Sequence, residues 1–366
     1  MRSVEMFTGC GGLAMGLSRI GFHHDLLVEW NKDAVETVRH NQELCVEHVR
    51  DWPIERRDVR EISWRQFAGA DLVAGGPPCQ PFSIGGKHGG NNDHRDMWPQ
   101  AIRAVREVQP RAFLFENVRG LTRRAFAGYL DSIVSGLTRP GPGIRYEVAV
   151  LNVNAADFGA AQKRHRVVIA GLRADTVGSV PIVRPFPTHS HDRLLWEQFV
   201  TGQYWDEHGL PRNLNSFDKL DAVRVRRLRE QMIEPSGKRW VTVRDALHGL
   251  GEPNGENNHV FQPGARVYKG HTGSPLDQPA KALKAGDHGV PGGENMMVRD
   301  DGSVRYFTIR EAARLQGLPD DYSFPRSWTE SMRQLGNAVP VELAQAIGGW
   351  MHRILSTDGG KAAIAA

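Results

Sequence analysis

Only three cysteines occur among the 366 residues, Cys10, Cys45 and Cys79, and no two of them form a CxxC pair. That pattern encodes neither a zinc site nor a disulfide framework, so no metal is expected. No stretch approaches the roughly 18 consecutive apolar residues of a membrane span, and a soluble chain without a membrane partner is expected. The opening MRSVEMF lacks a cationic segment followed by an apolar one, so no secretory signal is read there and the cytoplasm is the expected compartment. Charge of one sign is also scarce, since 46 Lys and Arg against 42 Asp and Glu leave a formal net charge of +4. This excess permits a polyanionic partner and serves solubility equally well. No internal repeat or low-complexity tract is present, which excludes a repeat architecture.

The chain is long enough for one large domain with an insertion or for two ordinary ones. Its first 175 residues alternate short apolar runs with helical or loop stretches. The runs are Val4-Glu5-Met6-Phe7, Asp71-Leu72-Val73-Ala74, Ala112-Phe113-Leu114-Phe115 and Arg166-Val167-Val168-Ile169-Ala170. Buried strands alternating with helices read as a doubly wound α/β sheet with helices on both faces. From Pro181 the texture changes to prolines, the His189/His191 pair, scattered tryptophans and many glycines. A smaller, irregular second unit is therefore placed at 181–305. Thr308 followed by Glu311 has capping-box spacing and predicts a helix start. Another helix is expected from Pro340 to Ile354, and 354–366 reads as a frayed tail. The α/β unit would thus combine 1–180 with 306–353.

After the first run comes Gly9-Cys10-Gly11-Gly12-Leu13-Ala14, the GxGxxA form of a nucleoside-binding turn leading into a helix. Glycines there allow a tight turn and a close ligand. Glu29 follows at the end of Leu26-Leu27-Val28, where a carboxylate can accept hydrogen bonds from ribose hydroxyls, and Trp30 can offer a ring face to adenine. At this point NAD and S-adenosylmethionine both remain open, because both present an adenosine.

The run Asp71–Ala74 ends in Gly75-Gly76-Pro77-Pro78-Cys79-Gln80-Pro81-Phe82-Ser83. This places a cysteine just past the carboxyl end of a parallel strand, the edge where open α/β sheets bind ligands. Two glycines permit a sharp exit, and two prolines then fix the backbone so that the thiol is aimed. A buried cysteine acting as a small hydrophobe needs no such clamp, whereas a reactive one needs placement. Cys79 is therefore the candidate nucleophile.

These segments, with Glu116-Asn117-Val118, Gln162-Lys163-Arg164-His165-Arg166, Arg310-Glu311-Ala312-Ala313-Arg314-Leu315-Gln316 and Gly336-Asn337-Ala338-Val339-Pro340, resemble the successive motifs of the DNA cytosine-5 methyltransferase family, in the family's order. The resemblance spans residues 4 to about 350. It departs at Ala160-Ala161, where the family usually has Pro before the glutamine. It implies a Rossmann-like S-adenosylmethionine-dependent methyltransferase sheet, with 181–305 as a target-recognition domain. The implied reaction transfers methyl to carbon 5 of a flipped-out cytosine, through a covalent adduct of Cys79 with carbon 6.

The resemblance also implies roles. Glu116 would hold N3 of the cytosine and, to donate a proton there, would need an apolar pocket; a strand-end glutamate in a surface salt bridge is the alternative. Arg164 and Arg166, two apart on an extended chain, would share a face. Arg164 would contact the base or support Cys79, and Arg166 would act through the backbone or a phosphate. Phe7, Gly9, Gly11, Gly12, Glu29, Trp30, Asp58, Pro78 and Asn337 would surround the cofactor, leaving S-adenosyl-L-homocysteine as product. Gln80, Ser83, Lys87 and Arg95, in or beside the glycine-rich stretch after Cys79, would contact DNA. Arg224, Arg226, Arg227 and Arg229 offer phosphate contacts, or a solvated helix face. The implied partner is double-stranded DNA met by a monomer, in a bacterial restriction-modification setting with a cognate endonuclease. An RNA cytosine-5 methyltransferase and a catalytically silent DNA-binding regulator are the rival readings. Whether a side chain or a water removes the carbon 5 proton is left open.

Overall fold

The computed structural model describes residues 1–78, 96–177, 184–269, 272–285 and 295–356. In chain order, the first part supplies β1 (Arg2–Met6), α1 (Gly12–Arg19), β2 (His23–Glu29), α2 (Lys32–Glu43), β3 (Ile54–Arg56) and β4 (Leu72–Gly75). It continues with α3 (Trp98–Val108), β5 (Ala112–Val118), α4 (Ala127–Thr138), β6 (Tyr146–Asn154), β7 (Gln162–Lys163), β8 (His165–Arg173) and α5 (Ala174–Val177). Seven of these strands form one sheet in the order β3-β2-β1-β4-β5-β8-β6. Strands β1 to β5 pair in parallel. β8 runs antiparallel to both neighbours, β5 and β6, so the expected α/β sheet is mostly parallel with one reversed strand.

Side chains of the central strands are buried on both faces, as a sheet covered on both sides requires. On one face Val4, Met6, Val73, Phe113 and Phe115 pack with Trp98, Ala101, Ala104, Val105 and Val108 of α3. The spacing of those α3 residues is that of one helical stripe. On the other face Leu72, Ala74 and Leu114 meet Leu13 and Leu17 of α1 together with residues from the chain's last helix.

Between 184 and 305 the elements are short. They are β9 (His189–Ser190), α6 (His191–Trp196), α7 (Gln203–Glu207), α8 (Ala222–Gln231), β10 (Lys238–Arg239), α9 (Val243–Leu247), β11 (Ser274–Pro275), β12 (Ala280–Lys281), β13 (Met296–Val298) and β14 (Val304–Tyr306). Leu194, Leu195, Phe199, Tyr204, Trp205, Val225 and Leu228 make a small core of their own. The later part joins the main body, because Val243, Ala280, Leu283 and Met297 pack in one cluster with Cys10, Ala14 and Trp52, and β12 pairs with β7.

The chain then returns through α10 (Ile309–Leu315), α11 (Trp328–Asn337) and α12 (Val341–Ser356). Thr308 and Glu311 form the expected capping box at α10. α12 reaches α1 closely: a Cβ on Gly16 would lie 2.4 Å from the Cβ of Ala344, and one on Gly348 would lie 2.6 Å from Leu17 Cδ2. Among the described residues no helix is long and apolar enough to cross a membrane. The expected frayed tail falls, from residue 357 onward, outside the described residues.

Candidate active site

β1 stops at Met6, one residue short of the apolar run, because Phe7 turns off the sheet with φ of 61°. Gly9 and Gly11 follow at φ of 58° and 84°, a region that glycine enters without steric cost. Gly11 is also pressed by a neighbour, since a Cβ there would lie 2.5 Å from Trp52 Cζ3. A Cβ on Gly12 would lie 2.3 Å from the carbonyl oxygen of Val339. The turn is therefore pinned between Trp52 and the Ala338-Val339 segment, leaving no room for side chains. Gly9 differs, because a Cβ there would meet nothing within 4 Å, and its side of the turn is open.

At that open side the Gly9 N–H donates to Glu29 Oε2 at 2.8 Å, and the Asn31 N–H donates to Glu29 Oε1 at 2.7 Å. Burial pushes the Glu29 carboxyl above its ordinary range, while the donors from Asn31 and Gly9 oppose that shift. Each oxygen keeps a second lone pair for a further donor. Trp30 beside it is 66% exposed. The Arg57 N–H donates to the Glu29 carbonyl at 3.2 Å, which brings Asp58 to the same edge. Asp58 is already engaged there: it caps a short 3-10 turn through the Arg60 N–H and accepts from the Arg60 guanidinium. Those bonds hold its carboxyl below the usual value. Asn337, exposed at the end of α11, stands two residues before the carbonyl that touches Gly12. An open glycine turn, a carboxylate with free lone pairs and an exposed indole fit an adenosine.

The other half of the site lies along the same edge. β4 packs so tightly against β1 that a Cβ on Gly75 would lie 2.3 Å from the Met6 carbonyl oxygen. The exposed Pro78 follows Pro77, whose carbonyl accepts a hydrogen bond from Asn117 Nδ2 at 3.0 Å. Asn117 was not among the expected site residues, although its motif was visible. It ties the segment leading to Cys79 onto β5. Cys79, Gln80, Ser83, Lys87 and Arg95 lie outside the described residues.

Glu116 is inside β5, not at its end, because the strand continues to Val118. Its Oε2 lies 3.6 Å from the Cβ position of Gly76, so it faces the exit of β4. Among the described residues Glu116 meets a charge and not an apolar wall: Arg166 Nε lies 2.6 Å from Glu116 Oε1, with side-chain exposures of 13% and 11%. This ion pair is far drier than the surface bridge considered as the alternative. Register explains it. Glu116 sits opposite Val168 and Val118 opposite Arg166, so Glu116 and Arg166 are diagonal neighbours on one face, within reach for long side chains.

Arg164 is 1% exposed and donates to the carbonyls of Leu283 at 3.0 Å and Gly336 at 2.7 Å. It joins β8, the insert and the last helices, while Arg166 holds the carboxylate. The two arginines of the motif thus have different partners. Gln162 Nε2 similarly donates to Leu315 O at 2.8 Å, and Lys163 Nζ donates to Gln278 Oε1 at 3.2 Å and stands 5.7 Å from the Trp240 ring centroid. Gln162, Lys163 and Trp52 carried no sequence signal for these contacts, which are all long-range. The arginines of α8 are largely occupied: Arg224 and Arg227 pair with Asp192, and Arg229 donates to Phe199 O.

With this geometry in view, the chain matches the family model described as C-5 cytosine-specific DNA methylase over residues 1–353. It is 30% identical over 367 residues to the type II methyltransferase M.NgoMIV of Neisseria gonorrhoeae, covering 97% of this chain and 98% of that one. To the type II methyltransferase M.PspPI of a Psychrobacter species it is 31% identical, covering 96% and 79%. In fold it resembles the crystal structure of the S. pombe Dnmt2 methyltransferase, with a TM-score of 0.62, 17% identity and coverage of 98% and 100%.

Proposed function

The chain belongs to the C-5 cytosine-specific DNA methylase family, and from that premise we propose how its own residues divide the work of methylating a cytosine in duplex DNA. The observation that carries the proposal is the half-buried Glu116–Arg166 pair facing the exit of β4, three residues before Cys79.

A base inside the duplex stack is out of reach, so the cytosine must leave the helix before reaction. Glu116 meets N3 of the flipped base, and Arg166 orients the carboxylate. Cys79 adds as a thiolate to carbon 6, which makes carbon 5 nucleophilic and splits one hard step into easier ones. When bound, S-adenosylmethionine supplies an electrophilic methyl group. After carbon 5 carries the methyl group, its proton passes to a base, a side chain or a water, and the electron pair left behind expels the thiolate, restoring the ring. Glu29 accepts from the ribose of the cofactor, Trp30 and Phe7 flank its adenine, and Asn337 closes its other end. Asp58 serves the adenine amino group only if it shares its oxygens between that group and Arg60.

Relatives named as type II methyltransferases support a restriction-modification role, in which a monomer would protect sites cut by a cognate endonuclease. The test is transfer of labelled methyl groups to duplex DNA and to tRNA, followed by bisulfite sequencing of DNA from cells expressing the protein. Methylation of one duplex sequence is expected. Transfer to tRNA alone overturns the DNA reading, and no transfer to either substrate supports the silent regulator.

A further inference from the structure

We propose that Arg119, Arg123 and Arg124 form a phosphate-binding track that grips the DNA backbone beside the target cytosine; the proposal rests on the methyltransferase reading above. These residues follow Glu116-Asn117-Val118 on two successive 3-10 turns, Arg119–Thr122 and Arg124–Phe126. The turns are anchored from below. Leu121 is fully buried, the Phe126 N–H donates to Arg123 O at 2.8 Å, and Thr122 Oγ1 lies 3.4 Å from Asn152 Oδ1 of β6. All three arginines are exposed. Among the described residues none of their side chains has a carboxylate or carbonyl partner, in contrast to Arg224, Arg227 and Arg229.

The cluster extends along the carboxyl edge of the sheet. Arg119 is near enough to His165 to add to burial in lowering the imidazole's affinity for a proton, and His165 precedes the Arg166 that holds Glu116. Exposed guanidinium groups within six residues of one another, with no carboxylate partner among the described residues, repel one another, a cost that a polyanion relieves. Their planar forks suit phosphate oxygens. A strand whose base has entered the site beside Glu116 must carry its neighbouring phosphates past this edge. The arginines of α8 stand out more clearly in the sequence, but two of them already pair with Asp192.

The experiment measures affinity for a fluorescein-labelled mixed-sequence duplex as a function of salt. Each phosphate contact contributes about 0.9 to the slope of log affinity against log salt, so between about 50 and 200 mM one arginine accounts for roughly a 3.5-fold loss and three for roughly 40-fold. The triple variant R119Q/R123Q/R124Q should lose roughly 40-fold less affinity than wild type over that range, equally on all sequences. The triple Lys variant should restore the wild-type slope, and R224Q/R227Q should retain it. Calorimetric binding of S-adenosylmethionine reports that each variant is folded. If the triple variant is not folded, R124Q alone serves, with roughly 3.5-fold expected. An unchanged slope in a folded variant, with wild type showing normal salt dependence, overturns this proposal alone. Absence of any salt-dependent duplex binding by wild type overturns both this proposal and the reading on which it rests.

Discussion

The central sheet and the insert between 184 and 305 hold their side chains by different means. In the sheet, backbone ladders place Glu116 and Arg166 on adjacent strands, and helices close both faces. Among the described residues of the insert no strand exceeds three residues, and charged side chains tie the short elements together. Arg239 lies 2.9 Å from Glu197, 2.7 Å from Glu207 and 2.9 Å from Asp245, while Arg244 reaches Asp277 at 2.6 Å. A ladder positions chemical groups whatever the side chains beside it. A network of ion pairs positions a surface only while every partner is present. Substitutions at the sheet edge should therefore reduce turnover with little loss of stability, and substitutions in the insert network should do the reverse.

The largest expected effect is at the sheet edge. Cys79→Ser should reduce methyl transfer to background while cofactor binding, read by calorimetry, stays intact; measurable turnover removes Cys79 as the nucleophile. Glu116→Gln should lower kcat by roughly 10²–10⁴, and a near-normal rate takes Glu116 out of the chemistry. In the insert, Arg239→Ala leaves Glu197, 6% exposed, with one fewer partner. It should cost about 3 kcal/mol in urea unfolding while cofactor affinity is unchanged. An equal fall in cofactor affinity would erase the distinction between the two regions.

The smallest effect tests the seam where α12 meets the turn after α10. Glu342 Oε1 lies 2.2 Å from the Cβ position of Gly317, and burial raises its carboxyl from 4.5 to about 7, with Arg19 opposing. The folded state thus holds the proton more tightly than the unfolded chain. The stability contributed is complete below pH 4.5 and is lost as pH rises through about 7. Glu342→Gln should remove this loss, at most about 3 kcal/mol, so its Tm advantage should grow between pH 5 and 8. An advantage independent of pH would refute the titration.

Much of the cofactor end was legible in the sequence because its determinants are local. The glycine run and the acid that ends the second strand each show within a few residues of sequence, and the fold then joins them through the Gly9 N–H and Glu29. Even there, Phe7 was taken as strand, since a turn residue with positive φ and a large apolar side chain breaks the usual pattern. Less of the substrate end was legible. The motif containing Glu116 marked it as important, but an apolar pocket was inferred from Phe113, Leu114 and Phe115, which point into or across the sheet, not around the carboxylate. Arg164 and Arg166 were expected to share one face, and burial of Arg164 among backbone carbonyls separates it from the Arg166–Glu116 pair.

By itself the sequence determined four strands of the sheet, the glycine turn, the family motifs and their order, because apolar periodicity and glycine or proline chemistry act over a few residues. Only the tertiary structure decided the direction of β8. Parallel and antiparallel strands share the same alternation, so no pattern within His165–Arg173 distinguishes them. A parallel β8 would carry Arg166 to the far edge of the sheet. Running antiparallel, it brings its first residues to the carboxyl ends of β4 and β5, and so brings Arg166 to Glu116.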